Sequence, residues 1–490
     1  MRQKSLKLNF IFNSILTASG IIFPLITFPY VARVLGPMGT GKVAFATSVV
    51  YYFNLIAQLG IPTYGIRACA KVRENKQELS KTVQEIMIIN AIMSSIAYIC
   101  FFSSIFLVPK LYENKNLIMI VGLSILFNSI GVEWLYKAIE KYSYITIRSI
   151  VFKFIAILAM FVLVRNQSDY IMYGFITIFA GVGSNVFNFI NMRKYANFKL
   201  TGSYNLKKHL KPVGIFFAMS VASTIYTQLG IVMLGFMKTD SDVGYYTAAV
   251  KIKAILISFV TSLGTVLLPR ASYYVEHGLM DDFKRMTKKA INFVFILASS
   301  VSIYFILFAK EGIYFLSGIS YTDSIVPMQI IMPVVFIVGM TNILGIQMLV
   351  PLGKEKYVLY SQIVGAAVNL IINFALIPNY ASTGAAIGAL AAEISVLIVQ
   401  MWVLRKMVAD IIKQIHWGQI TFSLIVAAIA GYLVKFLDIR SNFLMLSISA
   451  SVFYLVFIIL LNLFKEQLVL EIERQIFGKI IRKSKLSNKK

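Results

Sequence analysis

The feature that most constrains this chain is a series of fourteen long apolar stretches separated by short polar loops. Each stretch is close to the roughly 20 residues that an α-helix needs to cross about 30 Å of hydrocarbon. Hydrophobic residues make up 58% of the chain, against about 45–50% in soluble domains. The pattern predicts an all-α polytopic membrane protein with about fourteen transmembrane helices. The predicted spans are residues 10–32, 43–64, 84–109, 116–136, 143–164, 170–192, 213–237, 244–269, 290–309, 325–350, 357–378, 383–404, 417–434 and 443–464.

The distribution of positive charge predicts the orientation of these spans. The formal net charge is +26, and most Lys and Arg residues lie in the N-terminus, in every second loop and in the C-terminal tail. Cytoplasmic loops retain Lys and Arg. Both termini and the loops 65–83, 193–212 and 270–289 are therefore predicted to be cytoplasmic. The basic excess is a topology signal, so we expect no nucleic-acid partner.

The sequence contains no pattern typical of a metal centre or a catalytic site. Cys69 and Cys100 lie at different predicted depths, so we expect no disulfide. All three histidines, His209, His277 and His416, fall in predicted cytoplasmic loops, and neither CxxC nor HExxH occurs. We therefore predict a protein that is not an enzyme and that has no cofactor and no metal.

A faint internal repeat divides the first twelve spans into halves. Residues 35–46 read LGPMGTGKVAFA and residues 234–249 read LGFMKTDSDVGYYTAA, and each segment opens the next helix with a glycine, Gly41 or Gly244. Transporters are often built from such repeats, with the substrate site between them. The predicted domains are two six-helix lobes at 1–204 and 205–404, two additional helices at 405–464 and a basic cytoplasmic tail at 465–490.

The tail is amphipathic between residues 465 and 483. Leu468, Ile472, Ile476 and Ile480 form one stripe that Lys and Arg residues flank. Such a helix could lie on an anionic cytoplasmic leaflet. A solvated tail that packs on the loops explains the pattern equally well.

Ionisable side chains are rare inside the spans, where a central charge costs about 2.5–3.5 kcal/mol and needs a partner or a wet cavity. Glu85 lies at the edge of its span and is not expected to need a partner. Glu133 and Arg148 are placed to pair across the hairpin of spans 4 and 5, as a structural pair or as part of a site. Lys153 and Glu393 lie near the membrane midplane.

Two further lysines lie in the eighth span. Lys251 and Lys253 are two residues apart, about 200° around a helix, so they do not face the same cavity, and we favour Lys251 as the cavity-facing one. Bases outnumber acids deep in the spans, which favours an anionic substrate. The alternative is that these bases pair with helix carbonyl groups where lobes meet.

Uncharged polar side chains recur at helical spacing. Buried amides commonly bond one helix to another, and they are also the groups that a sugar-binding cavity would use. Both interpretations stay open for each residue. The candidate lining residues are Asn54 and Gln58, with Tyr51, on span 2, Asn185 and Asn188 on span 6, and Asn369 and Asn373 on span 11.

Several segments carry a family resemblance. Residues 28–73, FPYVARVLGPMGTGKVAFATSVVYYFNLIAQLGIPTYGIRACAKVR, and residues 132–153, VEWLYKAIEKYSYITIRSIVFK, resemble Wzx-type polysaccharide flippases. GYYTAAVKI (244–252), LLPR (267–270) and PLGKEKY (351–357) also fit that family. The family belongs to the multidrug/oligosaccharidyl-lipid/polysaccharide exporter superfamily.

The resemblance implies two six-helix lobes around a central cavity, with two peripheral helices, in a bacterial cytoplasmic membrane. It implies ion-coupled transport of an undecaprenyl-pyrophosphate-linked glycan, such as an O-antigen or capsule repeat unit. The partners it implies are this lipid-linked glycan, the lipid bilayer, and the polysaccharide polymerase and chain-length machinery. The expected pyrophosphate ligands are Arg33, Arg148, Lys153 and Lys251, and the expected ion-coupling acids are Glu393 and Glu133. A structural interpretation of Glu393, as part of an ion pair or as a polar helix-packing residue, explains its position equally well.

Other functions stay open at this point. A multidrug exporter of the same fold would be expected to carry an acid in the first spans, and spans 1 and 2 contain none. A peptidoglycan-precursor flippase is a second close relative. A membrane-bound glycosyltransferase or polymerase would need a larger extramembrane loop with catalytic carboxylates or arginines. A binding or scaffold role would not explain Lys153 and Glu393 near the midplane.

Overall fold

The computed structural model describes residues 6–197 and 203–471, and within these two ranges the chain forms helices and no strands. The predicted all-α polytopic fold is confirmed. In chain order the helices are α1 Leu6–Gln58, α2 Ile61–Val72, α3 Lys76–Leu107, α4 Pro109–Glu113, α5 Lys115–Ile130, α6 Glu133–Ala138, α7 Tyr142–Leu163, α8 Tyr170–Ile178, α9 Asn185–Asn191, α10 Lys207–Met237, α11 Asp240–Glu276, α12 Met280–Leu307, α13 Ala309–Leu316, α14 Ile325–Ile331, α15 Pro333–Thr341, α16 Glu355–Ile412, α17 Trp417–Leu433 and α18 Asn442–Leu463.

Eleven helical segments in the described residues are long and apolar enough to cross a membrane. Two of them, Ile11–Val72 and Glu355–Ile412, are far longer than one crossing, and each contains two predicted spans. The first is broken at Gly36 (φ 65°, ψ −178°) and the second at Ala381 (φ 43°, ψ −123°). Glycine tolerates the positive φ at the first break, and Pro37 follows it without a backbone N–H. The count of fourteen crossings stays a prediction.

The chain divides into two compact units. The first comprises Met1–Thr247 with the short segments Leu316–Tyr321 and Ile377–Ser382. Helix α1 is central in it, because α3, α5, α7, α8 and α10 all pack against α1. A core cluster around Tyr64 and Trp134 joins α2, α3 and α6.

The second unit comprises Ala248–Phe315, Thr322–Leu376 and Thr383–Lys490. Within it α12 packs on α15 and α17, and α17 packs on α18. The hydroxyl of Tyr304 on α12 donates a 2.7 Å hydrogen bond to the carbonyl of Leu446 on α18. The two helices predicted after residue 404 are thus α17 and α18. The predicted lobe boundaries themselves stay predictions.

Large apolar side chains cover the outside of the helices. Phe106, Leu107 and Phe259 are 71%, 79% and 74% exposed. Surface of this kind is unfavourable in water and favourable in lipid, because burial in an apolar medium removes it from water. This agrees with a multi-pass membrane protein.

The segment 65–83, which the sequence predicts to be a loop, is mostly helical, because it contains most of α2 and the start of α3. Cys69 is buried there and Cys100 is exposed on α3, both as free thiols. Residues 1–5 and 198–202 lie outside the described residues, and so does the tail from 472 onward, with the predicted stripe positions Ile472, Ile476 and Ile480.

Candidate substrate cavity

A cavity of about 500 Å³ lies within the first unit, and amide, hydroxyl and apolar side chains line it, with no charged side chain among them. We call it the amide cavity. Predicted residues Tyr51, Asn54 and Gln58 all line it, as their helical spacing on α1 suggests. The lining also includes Leu55, Gly60, Pro62, Thr63, Asn128, Phe216 and Ser220.

The turn after α1 shapes this cavity. Leu59 (φ 42°) and Gly60 (φ 73°) both adopt the left-handed conformation, and α2 begins directly after them. A Cβ atom at Gly60 would lie 2.5 Å from the backbone nitrogen of Phe217. Only glycine therefore permits this approach of α10, which brings Phe216 and Ser220 to the cavity.

Helix α5 holds one amide of the cavity in place. Asn54 donates to the Ser124 hydroxyl over 2.9 Å, and Asn128 donates to the Asn54 side-chain oxygen over 3.0 Å. Within the described residues the side chain of Gln58 makes no hydrogen bond, so its amide can bind a ligand. The cavity thus combines two amides that are held by hydrogen bonds, Asn54 and Asn128, with one available amide, Gln58.

A second polar cluster surrounds Arg148 on α7. Its Nη2 donates to the Asn185 side-chain oxygen over 3.4 Å, and its guanidinium lies 5.8 Å from the centre of the Tyr144 ring. The Nε and Nη1 atoms are buried without hydrogen-bond partners. Glu133, the predicted partner, interacts with Arg148 electrostatically but forms its ion pair with Lys137 at 3.2 Å. Arg148 therefore retains donors that an anion could engage.

Two of the three asparagines of α9, Asn185 and Asn188, bind the C-terminal end of α5. Asn185 donates to the Phe127 carbonyl over 3.0 Å, and Asn188 donates to the Gly131 carbonyl over 2.7 Å. Asn188 is fully buried. These bonds satisfy the end of α5, where helix carbonyls have no partner within the helix. Of the two open interpretations, the contacts favour helix packing.

Two other predicted bases bind oxygen atoms of the chain itself. The ammonium of Lys153 donates to the Ser19 hydroxyl over 2.8 Å. Arg33 donates to the carbonyls of Pro29 and Leu316 over 2.6 Å and 3.4 Å. The described residues that line the amide cavity do not include any of the four predicted bases.

The remaining predicted residues lie in the second unit. Glu393 on α16 interacts electrostatically with Lys253 on α11, and Lys251 is half-buried. Asn373 donates to the Asn369 side-chain oxygen over 2.9 Å. A Cβ atom at Gly388 would lie 2.0 Å from the Asn373 oxygen, so these two amides fill a close helix contact.

A buried charged network connects α3 with the start of α10, and the sequence pattern does not predict it. Glu85 is fully buried, and its carboxylate accepts from the backbone N–H of Asn205 over 2.8 Å and pairs with Lys208 at 2.7 Å. Buried His209 lies 2.8 Å from the same carboxylate and 2.6 Å from the Tyr64 hydroxyl. The expectation that Glu85 needs no partner is wrong, because the start of α10 covers it.

The repeated segments of the two halves meet each other in the first unit. A Cβ atom at Gly41 would lie 1.7 Å from the Asp240 carbonyl oxygen, and one at Gly244 would lie 2.0 Å from the Pro37 carbonyl oxygen. The contact is reciprocal, since each glycine faces the backbone of the other segment. Both glycines are therefore required where the two helix starts cross.

A further ion pair joins two of the segments that carry the resemblance. Arg73 at the end of α2 contacts Glu140 at 2.5 Å, and Asn9 donates to the other carboxylate oxygen over 3.5 Å. The hydrogen bond that Arg73 donates to Glu140, together with the negative charge of Glu140, raises the pKa of Arg73 above its ordinary value. Glu140 itself has a left-handed backbone, with φ 58°.

The comparisons with known proteins begin with a family model. The model described as "Polysaccharide biosynthesis protein" matches residues 6–275. The chain belongs to this family. Two proteins similar to this chain carry the name "Putative O-antigen transporter". The one from Escherichia coli (strain K12) is 24% identical over 82% of this chain and 97% of its own length. The one from Shigella dysenteriae is 23% identical over 80% and 98%.

Solved structures share the fold. The lipid II flippase MurJ in an inward closed conformation has a TM-score of 0.75 at 14% identity, covering 94% of this chain and 100% of that chain. An inward-facing MATE-family multidrug resistance transporter of the MOP superfamily has a TM-score of 0.62 at 14% identity, covering 83% and 99%. The resemblance inferred from the sequence is confirmed. No group of three or more metal-ligating His, Cys, Asp or Glu side chains occurs in ranges 6–197 and 203–471.

Proposed function

We propose that this protein of the polysaccharide biosynthesis family is a flippase. It moves undecaprenyl-pyrophosphate-linked oligosaccharide repeat units across the cytoplasmic membrane by ion-coupled alternating access. The amide cavity is the observation that carries this proposal. The two relatives that carry the name "Putative O-antigen transporter" support the same substrate class.

The lining of the amide cavity suits a glycan. Sugar hydroxyls both donate and accept, and so do the amides of Gln58 and Asn128 and the hydroxyls of Thr63 and Ser220. Tyr51 supplies an aromatic face for the apolar side of a sugar ring. A volume of about 500 Å³ lies within the roughly 300–1,000 Å³ of ligand pockets.

We assign recognition of the pyrophosphate to Arg148 and Lys153 first. Arg148 has two buried nitrogen atoms without hydrogen-bond partners, and charge-assisted bonds to phosphate oxygens are roughly twice as strong as neutral ones. Lys153 can exchange its bond to Ser19 for a phosphate oxygen. Arg33 and Lys251 remain candidates for the same role.

Glu393 is our candidate for ion coupling, and its interaction with Lys253 supports this assignment. If a proton neutralises the carboxylate, the interaction with Lys253 is lost, and a transport step can depend on that change. One charge moving through 100 mV supplies about 2.3 kcal/mol. Glu133 is the second candidate, although its ion pair with Lys137 gives it a structural role as well.

Complementation of a strain that lacks its O-antigen flippase tests the function. Asn54→Leu and Gln58→Leu should lower surface glycan at least tenfold, since Gln58 is available to sugar hydroxyls and Asn54 orients the amide of Asn128 beside it. Gln77→Leu, at an exposed amide outside the cavity, is the matched control, and immunoblots of membranes report expression. Normal glycan export by both cavity variants would refute the proposal. Rescue of a strain depleted of its peptidoglycan-precursor flippase would favour the alternative substrate.

A further inference from the structure

A second pocket, of about 710 Å³, lies in the second unit at the N-terminal end of α12 and the C-terminal end of α16. We call it the basic pocket. It belongs to the face that the charge distribution assigns to the cytoplasm, and no part of the proposed transport function uses it. The charged side chains of its lining are Lys284, Arg285, Lys288, Lys413, Asp281 and Asp410.

The basic pocket has an excess of positive charge. Of its four bases, Arg285 has an acidic partner, Asp282, at 3.7 Å. In the described part of the chain, Lys284, Lys288 and Lys413 form no ion pair with any carboxylate. Like charges that share a pocket repel one another, so a bound anion would stabilise the arrangement.

The depth of the basic pocket matches the headgroup region of a bilayer. The apolar part of α12 begins at Ala290, so Lys284 lies about 9 Å beyond it at 1.5 Å per residue. Trp417 begins α17 just after the pocket, bonds to the Ile412 carbonyl over 2.6 Å and packs on Phe295. Tryptophan side chains of this kind mark the membrane–water interface.

In its described part, the C-terminal tail contributes no acid to the lining of the basic pocket. Glu471 pairs with Lys289 at 2.7 Å, and Glu466 accepts from Asn292 over 2.7 Å. Beyond Glu471 the sequence is mainly basic, with Lys479 and Arg482 among its residues.

We propose that the basic pocket binds the phosphate group of an anionic phospholipid in the cytoplasmic leaflet. The ligand chemistry is a phosphodiester held by several ammonium groups, with the acyl chains remaining in the bilayer beside α12. Basic pockets at the cytoplasmic ends of membrane helices recognise such headgroups. The proposal is independent of the transported substrate.

The test measures lipid binding to the purified full-length chain in detergent, by native mass spectrometry and by lipid-dependent thermal stabilisation. The probes are phosphatidylglycerol, cardiolipin, phosphatidylcholine and inorganic phosphate. The pocket variant is Lys284→Gln/Lys288→Gln/Lys413→Gln. The control variant, Lys76→Gln/Lys354→Gln/Lys356→Gln, removes the same charge from exposed positions outside the pocket.

Wild type and the control variant should bind the two anionic lipids at least tenfold more tightly than phosphatidylcholine, and the pocket variant should lose this preference. Equal losses in both variants would mean unspecific attraction and would overturn the proposal. The proposal would also be overturned if inorganic phosphate alone gave the full thermal stabilisation, because the ligand of the basic pocket would then be a soluble anion. If the triple variant is misfolded by gel filtration, Lys413→Gln alone should still weaken anionic-lipid binding about fivefold, and an unchanged affinity refutes the site.

Discussion

The network around Glu85 predicts a large and local loss of stability when its carboxylate is removed. In Glu85→Ala, buried His209 loses its 2.8 Å partner, and a buried group without a partner costs about 1–3 kcal/mol. Lys208 is partly exposed and can bind water after the substitution, so the loss of its ion pair lowers the stability by about 0–1 kcal/mol. With the lost bond from the Asn205 N–H, we expect the free energy of unfolding to fall by about 2–4 kcal/mol.

Denaturation in mixed micelles, followed by tryptophan fluorescence, measures this loss. Trp134 is a local probe, because its ring lies against Gly65 on α2, next to Tyr64. Glu85→Gln retains an oxygen acceptor for Asn205, and it should therefore cost less than Glu85→Ala. A double-mutant cycle with His209→Gln should give a coupling energy of roughly 0.5–3 kcal/mol.

Glu78→Ala is the matched control for this experiment. Glu78 lies on the same helix but is exposed, in the first turn of α3, where an acid contributes about 0.3–1 kcal/mol. If Glu85→Ala and Glu78→Ala unfold at the same denaturant concentration, the network contributes no net stability. A coupling energy of zero with His209 would refute the reasoning in the same way.

Three further predictions address the helix crossing, the coupling and the topology. Gly244→Ala places a Cβ atom 2.0 Å from a carbonyl oxygen and should lower the melting temperature in detergent, whereas Gly418→Ala, with no atom within 4 Å, should not. Glu393→Gln should abolish the dependence of transport on a pH gradient in vesicles; persistent dependence would exclude Glu393 as the coupling acid. In intact cells, impermeant thiol reagents should label cysteines at Asn166 and Thr239, but not one in the long basic loop between spans 6 and 7.

The sequence predicts one face of the amide cavity and misses the other. Asn54 and Gln58 are four residues apart, so helical periodicity alone puts them on one side of α1. Phe216 and Ser220 reach the cavity from α10, more than 150 residues away in the chain. Phe216 and Ser220 lie at the cavity because the turn at Gly60 lets α10 approach α1 closely. Such long-range packing leaves no recognisable pattern in a single sequence.

The same spacing has a different meaning on α16. Asn369 and Asn373 have the same four-residue spacing as Asn54 and Gln58. Gly388 lies directly against Asn373, however, so no space for a ligand remains beside Asn373. Periodicity identifies a polar face, but the residue opposite decides whether that face borders a cavity or another helix. The prediction for Glu85 is wrong for a similar reason. Counting residues from the end of a span gives the depth of a side chain in the membrane, but it does not reveal that the start of α10 covers the Glu85 carboxylate.

The type of unused hydrogen-bonding group separates binding candidates from packing residues. Arg148 has unused donors, whereas Asn188 and Asn373 have unused acceptor oxygens. A phosphate has acceptors only, so it can satisfy Arg148 and it cannot satisfy either asparagine. A buried donor without a hydrogen-bond partner lowers the stability of the protein by about 1–3 kcal/mol. An anion that accepts a hydrogen bond from this donor offsets that loss. Among these three residues, the balance of donors and acceptors therefore supports the proposal that Arg148 is the one that contacts a pyrophosphate.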